Sequence, residues 1–174
     1  MQKLEPPDTH YFMAAVGWME LGNLAEARAE LAQVSASQQE HPDVLELRWA
    51  FAAQEAKWEE GLQAAQALLR RAPHNCNGWL HQAYALRRVP GGGLQKAWDA
   101  LLPAASKFPK ETMVHFNLAC YACQMGNLEE ARHRLKVAAR VGGKDKVKTM
   151  ALADDDLKPL WEEIKGSQGN PQQL

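Results

Sequence analysis

Two cysteines three residues apart, Cys120 and Cys123, have the spacing in this chain best suited to chemistry. A CxxC pair cycles between dithiol and disulfide when a helix N-terminus stabilises its thiolate. Here the pair falls late in an apolar helical pattern, "TMVHFNLACYACQM", near the end where the helix dipole is negative. A zinc site needs two further ligands at suitable spacing. The other candidates, His74 and Cys76, lie far upstream in a connecting segment. The pair therefore reads as small apolar packing groups. Asp154, Asp155 and Asp156 are the other concentrated set of ligands. They could hold a cation, but they precede a helical pattern with Pro159 in its first turn, which makes them caps for its positive end. The six histidines, at positions 10, 41, 74, 81, 115 and 133, show no HxxxH or HExxH spacing. "PGGGLQKAW", from Pro90, offers backbone amides at a helix start as a phosphate loop does. No strand precedes it, however, and its lysine is misplaced. Neither GxSxG nor GxxxxGK[ST] occurs. These residues predict no catalytic group, no metal and no cofactor, and hence a protein that is not an enzyme.

The composition predicts that helices carry all of these residues. Alanine and leucine are abundant and β-branched residues few, which favours helix over strand. The 174 residues are enough for one sizeable core. A net charge of -1 gives no attraction to nucleic acid or anionic membrane. No run approaches the roughly 18 apolar residues that span a bilayer. The start, "MQKLEPPDTH", has no apolar signal region, and three cysteines, an odd number, suit reduced thiols. Both point to a cytoplasmic protein. The six tryptophans (Trp18, Trp49, Trp58, Trp79, Trp98 and Trp161) sit at helical positions with no basic stripe, so they read as packing and not as base-stacking platforms.

The chain repeats itself. "LGNLAEARAEL", from Leu21, returns as "MGNLEEARHRL", from Met125. That offset equals three periods of about 34 residues plus two. Two intermediate copies appear once "PGGG" is taken as loop material holding the extra two residues. Each unit reads as two amphipathic helices, A and B. "THYFMAAVGWMEL" precedes "LAEARAELAQVSA", and "DVLELRWAFAAQEA" precedes "WEEGLQAAQALLRR". "CNGWLHQAYALRR" then precedes "LQKAWDALLPAASKF", and "TMVHFNLACYACQM" precedes "NLEEARHRLKVAARV". Small residues recur where A and B would cross: Ala15, Ala83 and Ala119 on A, and Ala27, Gly61, Ala97 and Ala131 on B.

A 34-residue helix-turn-helix period with small residues at these places resembles the tetratricopeptide repeat (TPR) family. Trp79 matches the family's early tryptophan. Leu31, Leu101 and Leu135 match its large apolar site, and Pro73 and Pro109 its terminal proline. The departures are Trp49 in place of a small residue, Ala65 in place of a large one, and the glycine insertion, where local repacking is expected. The resemblance covers about residues 8–143. It implies an all-α fold, a right-handed superhelical stack of antiparallel helix pairs forming an α-solenoid. Residues 1–7 are a lead-in, and the four pairs are 8–41, 42–75, 76–111 and 112–143. Residues 144–165 are capping helices and 166–174 a disordered tail. Leu157, Leu160, Trp161 and Ile164 share one helical face, expected to close the last apolar surface on the fourth repeat.

With no chemistry to place, function falls to a surface. In the family the A helices line a concave groove through recurrent positions. Carried onto this chain, those positions give Phe12, Val16, Met19, Glu46, Ala50, Leu80, Tyr84, Arg87, Phe116 and Cys120, with Arg88 beside them. One well-known subfamily grips the acidic C-terminal tail of heat-shock chaperones with lysine, asparagine and arginine at positions 5 and 9 of its repeats. This chain has none of these at its matching positions, Phe12, Val16, Glu46, Ala50, Leu80, Tyr84, Phe116 and Cys120. A carboxylate clamp needs such donors, so that partner class is excluded. The resemblance implies instead a protein-interaction adaptor or scaffold holding a peptide or helix with apolar anchors. The alternative is a small secretion-type chaperone shielding an apolar client segment. Nucleic acid and membrane are not expected partners.

Overall fold

The computed structural model describes residues 3–166. Beyond Gly166, the expected disordered tail lies outside the described residues, and Gly166 itself ends a helix. Eight helices follow the expected alternation. They are α1 (Asp8–Glu20), α2 (Leu24–Ala32), α3 (Pro42–Gln54), α4 (Trp58–Arg71), α5 (Cys76–Leu86), α6 (Leu94–Lys107), α7 (Thr112–Gln124) and α8 (Leu128–Gly142). Then come α9 (Lys144–Ala153), a 3-10 segment (Asp155–Leu160) and α10 (Trp161–Gly166). No strand occurs among the described residues. The chain forms two compact units, one running to His81 and one from Gln82, with the division inside α5.

The duplicated "GNL" stretch is a joint between helices. Gly22 and Gly126 have φ of +77° and +81°, the left-handed conformation that ends an A helix. Asn23 and Asn127 then cap the B helix, accepting hydrogen bonds from the backbone N–H of Glu26 (3.3 Å) and Glu130 (3.1 Å). The second repeat makes the same turn with Ala56, at φ +55°, and Lys57, which provides no side-chain cap. In the first repeat a second tie closes the pair: the Ser35 N–H and hydroxyl both donate to Asp8 at 2.7 Å. These bonds hold the Asp8 carboxyl below its ordinary pKa.

The small residues lie where the repeat placed them. Ala15, Ala27, Ala83, Ala97, Ala119 and Ala131 are all fully buried. The second repeat solves the same contact by exchanging volume. Trp49 occupies the small site of α3, and Gly61 faces it from α4. A Cβ on Gly61 would lie 3.7 Å from the Trp49 indole. The other side of Trp49 is closed by His81, whose ring stacks at 3.6 Å with planes 11° apart. Burial holds that imidazole near pKa 4 despite the nearby Glu46 charge.

The longest turn within a repeat runs from residue 87 to 93. It starts earlier than the sequence pattern suggests, because α5 ends at Leu86 and leaves Arg87 and Arg88 in the turn. The chain closes back on itself there: Gly92 N–H donates to Val89 O, and Gly93 N–H to Leu86 O, both at 2.9 Å. A Cβ on Gly92 would stand 1.9 Å from Leu86 O, so only glycine fits.

The helix expected across Leu157, Leu160, Trp161 and Ile164 is divided in two. A 3-10 segment containing Pro159 comes first, capped by Asp154, whose carboxylate accepts the Asp156 N–H at 3.0 Å. Leu157, Leu160 and Ile164 are buried as their shared face requires. Trp161 is only half-buried; its indole N–H donates to Ala151 O of α9 at 2.8 Å. Arg132 of α8 holds Glu163 of α10 at 2.8 Å.

Candidate functional site

In the first unit, Phe12 of α1 and Glu46 and Ala50 of α3 come together around a recess of about 270 Å³. Helical spacing sets Glu46 and Ala50 one turn apart on a single face of α3. Leu47 and Asp43 complete the lining; the sequence reading did not name them, although each stands three residues before a named one, Asp43 before Glu46 and Leu47 before Ala50. The recess has an apolar floor and an acidic rim. Glu46 is held in place by two side-chain amides, accepting from Asn75 before α5 at 2.5 Å and from Asn77 in its first turn at 3.2 Å. Val16 and Met19 do not line this recess. They lie half-buried against the cluster of Ala15, Ala27, Leu31, Val44, Leu47 and Phe51. Leu80 is also half-buried.

In the second unit, Tyr84, Arg87, Arg88 and Cys120 gather around another recess of about 270 Å³, with Asn117, Tyr121, Asp154 and Asp156. Its character differs from the expected apolar groove. Arg87 grips Asp156 with both guanidinium arms, Nη2 to Oδ1 at 2.8 Å and Nη1 to Oδ2. That pairing raises the pKa of the Arg87 guanidinium. Gln124 of α7 donates to Asp156 O at 2.8 Å, and the Cys120 thiol donates to Asp154 at 3.7 Å. The strap of residues 154–156 thus lies on α7. Arg88 stacks over the Tyr84 ring, 3.5 Å from its centroid, and donates to Tyr84 O. The Tyr121 hydroxyl is buried and has no hydrogen-bond partner among the described residues, and burial pushes its pKa up to about 12.

Two expected groove residues are corrected here. Phe116 is 4% exposed and Cys120 3% exposed, so Phe116 is a core residue and Cys120 faces the strap and not a partner. Cys120 is covered where the C-terminal segment folds back over α7.

The sequence reading also treated CxxC and the aspartate run as separate. The fold brings Cys120, Asp154 and Asp156 together, with candidate ligand atoms within 4.8 Å of one another. The chemistry of the donors does not favour a cation. Arg87 already supplies positive charge to Asp156. Burial, together with the adjacent carboxylates, pushes the Cys120 thiol far above its ordinary pKa. Burial raises Cys123 as well. Neither thiol is poised as a thiolate at neutral pH.

No protein-family model matches the chain, and no curated protein matches it in sequence. Solved structures do share its fold. A thermophilic TPR protein of Thermus thermophilus superposes with a TM-score of 0.65 at 15% identity, covering 91% of this chain and 95% of that one. A crystal structure of MamA gives 0.68 at 14% identity over 91% and 86% of the two chains. Another MamA structure gives 0.62 at 21% identity over 78% and 73%. The chain has the tetratricopeptide-repeat fold that its period implied. No helix among the described residues is long and apolar enough to cross a membrane.

Proposed function

We propose that this chain is a non-catalytic protein-interaction module, an adaptor or scaffold, and that it takes a peptide or helix with apolar anchors on the face of its A helices. One observation carries the reading: the open recess of the first unit, where Phe12, Leu47 and Ala50 give an apolar floor beneath Asp43 and Glu46. An apolar side chain buried on that floor supplies affinity, and a basic residue next to it would meet the rim. An acidic C-terminal tail fits poorly, since the rim is itself acidic and Arg87 is already committed to Asp156. The fold's likeness to TPR proteins supports a protein as the partner, in preference to nucleic acid or a membrane. Burial raises the pKa of Cys120 and Cys123, so this CxxC pair offers no ready thiolate nucleophile.

The test is affinity capture of a partner by the full chain, followed by titration of its binding segment at low and high salt. Wild type should bind with weak salt dependence, because apolar burial is not screened by ions. Ala50→Glu should weaken binding by at least about tenfold with an unchanged melting temperature. A steep loss of affinity with salt, or no effect of Ala50→Glu, would move the site elsewhere. Tyr84→Glu serves as the companion variant in the second unit.

A further inference from the structure

On the side of α1 away from Phe12, Val16 and Met19 lies an apolar face that nothing covers among the described residues. At 100° per residue, His10, Met13, Ala14, Gly17, Trp18 and Leu21 share one arc of the helix. Met13 is 62% exposed, Trp18 37% and Leu21 77%. A Cβ on Gly17 would meet nothing within 4 Å. The repeat itself shows that this is unusual. The equivalent arc on α3 buries Val44, Leu47, Phe51 and Ala52, and that on α7 buries Val114, Leu118, Tyr121 and Ala122. In both places the preceding B helix is the cover. Leu31 and Val34 join the cluster containing Val44, Leu47 and Phe51, and Arg28 of α2 lies over the Phe51 ring. Helix α6 packs on α7 in the same way. Among the described residues no B helix precedes α1.

We propose that a second copy of this chain covers this face, through a two-fold pairing of α1 with α1. The arc reads large, large, small, small, large, large. If two such helices run antiparallel about an axis between Ala14 and Gly17, Gly17 lies against the partner copy's Ala14. Met13 then meets Trp18, and His10 meets Leu21. This order is self-complementary, as an isologous contact must be. Small residues at the crossing let the helices approach, and a methionine sulfur beside an indole is a favourable pair. The arc contains no Asp, Glu, Lys or Arg, so self-pairing opposes no like charges. The C-terminal segment offers no such match. Its exposed residues include Lys144, Asp145, Lys146, Glu162, Glu163 and Lys165. A head-to-tail contact would set the apolar face against charge.

The contact is small. Thirteen residues make a helix about 20 Å long. Its face buries well under the roughly 800 Å² per partner of a standard interface. Self-association is therefore weak and concentration-dependent, in the micromolar-to-millimolar range.

Sedimentation of the full chain from about 1 μM to about 1 mM tests this. The weight-average mass should rise from 19.4 kDa towards twice that value and stop there. Gly17→Gln puts a side chain at the crossing point, its Cβ meeting nothing within 4 Å in the monomer, and Met13→Glu places a charge on an exposed site. Both should raise the dissociation constant at least about tenfold while melting no lower than wild type at low concentration. Ala50→Glu, on the recess side, should leave the association unchanged. A wild type that stays at 19.4 kDa throughout would overturn the proposal and leave the face to a different chain. Growth beyond a dimer, or a dimer insensitive to Gly17→Gln and Met13→Glu, would overturn it equally.

Discussion

Grafting the Gly-Asn joint of the first and last repeats into the second should stabilise the protein. The backbone is already prepared for it. Lys57 has φ -85° and ψ 73°, against -95° and 79° for Asn23 and -83° and 75° for Asn127. The hydrogen bonds around the turn also match: Lys57 N–H to Ala52 O at 2.8 Å, Asn23 N–H to Trp18 O at 2.9 Å, and Asn127 N–H to Ala122 O at 2.9 Å. An asparagine at position 57 would thus reach the Glu60 N–H as Asn23 reaches Glu26, a cap worth about 1 kcal/mol. Its cost is the exposed pair of Lys57 with Glu55, worth about 0–1 kcal/mol. Ala56→Gly relieves a left-handed alanine, about 1–2 kcal/mol, and gives back about 0.5–1 kcal/mol in unfolded-chain entropy. The double variant should gain about 1 kcal/mol, which raises the melting temperature by about 2–4 °C in a chain of this length. Thermal and urea unfolding of the two single variants and the double variant provide the assay. If Lys57→Asn shows no gain, the cap geometry deduced from Asn23 and Asn127 is wrong for this turn. If Ala56→Gly lowers the midpoint, the left-handed alanine is not strained enough to matter.

Three further outcomes are expected. His81 has a folded pKa near 4 against an ordinary 6.5, so between these values the unfolded chain binds the extra proton; its contribution, on the order of 3 kcal/mol, is complete above about pH 6.5 and is lost as pH falls towards 4. Urea midpoints at pH 7 and pH 5 should differ less in His81→Phe than in wild type, and an equal drop would mean that other groups carry it. Gly92→Ala should distort the 87–93 turn, because its Cβ meets the Leu86 carbonyl at 1.9 Å; a lowered melting temperature checks this, and an unchanged one refutes the turn geometry. Ala131→Leu should overpack the α7–α8 contact and cost about 1–3 kcal/mol by denaturant midpoint.

The fold was legible because its determinants are local and repeated. Glycine followed by asparagine marks a helix end and a helix start, and alanine at fixed spacing marks a close crossing. Even the misfit Trp49 has its answer in the sequence, at Gly61, twelve residues on in the facing helix. The candidate site was less legible because groove positions report only which face of an A helix a residue occupies. They do not report what later chain folds over that face. Phe116 and Cys120 follow the repeat rule and are nevertheless buried, Cys120 beneath the returning tail. Leu47 was missed for the opposite reason: a recess takes floor from residues between the groove positions, which the pattern does not sample; Asp43 falls on a groove position and was left out of the carry-over.

The two motifs that first suggested chemistry turn out to be halves of one joint. Cys120 and the strap aspartates meet because α7 belongs to the last repeat and the 3-10 segment lies on it, with Leu157 and Leu160 buried. That burial brings Asp154 and Asp156 against a protein surface, where lone carboxylates would be costly. The thiol of Cys120 relieves Asp154 with a weak hydrogen bond, and the arms of Arg87 relieve Asp156 with a strong one. Arg87 reaches Asp156 from the 87–93 turn, where the glycine insertion has lengthened the connection. A guanidinium in this family's groove can recognise a ligand's carboxylate, but here it is spent on the chain's own tail. On the proposed function, the open recess at Phe12, Glu46 and Ala50 is where a partner would bind.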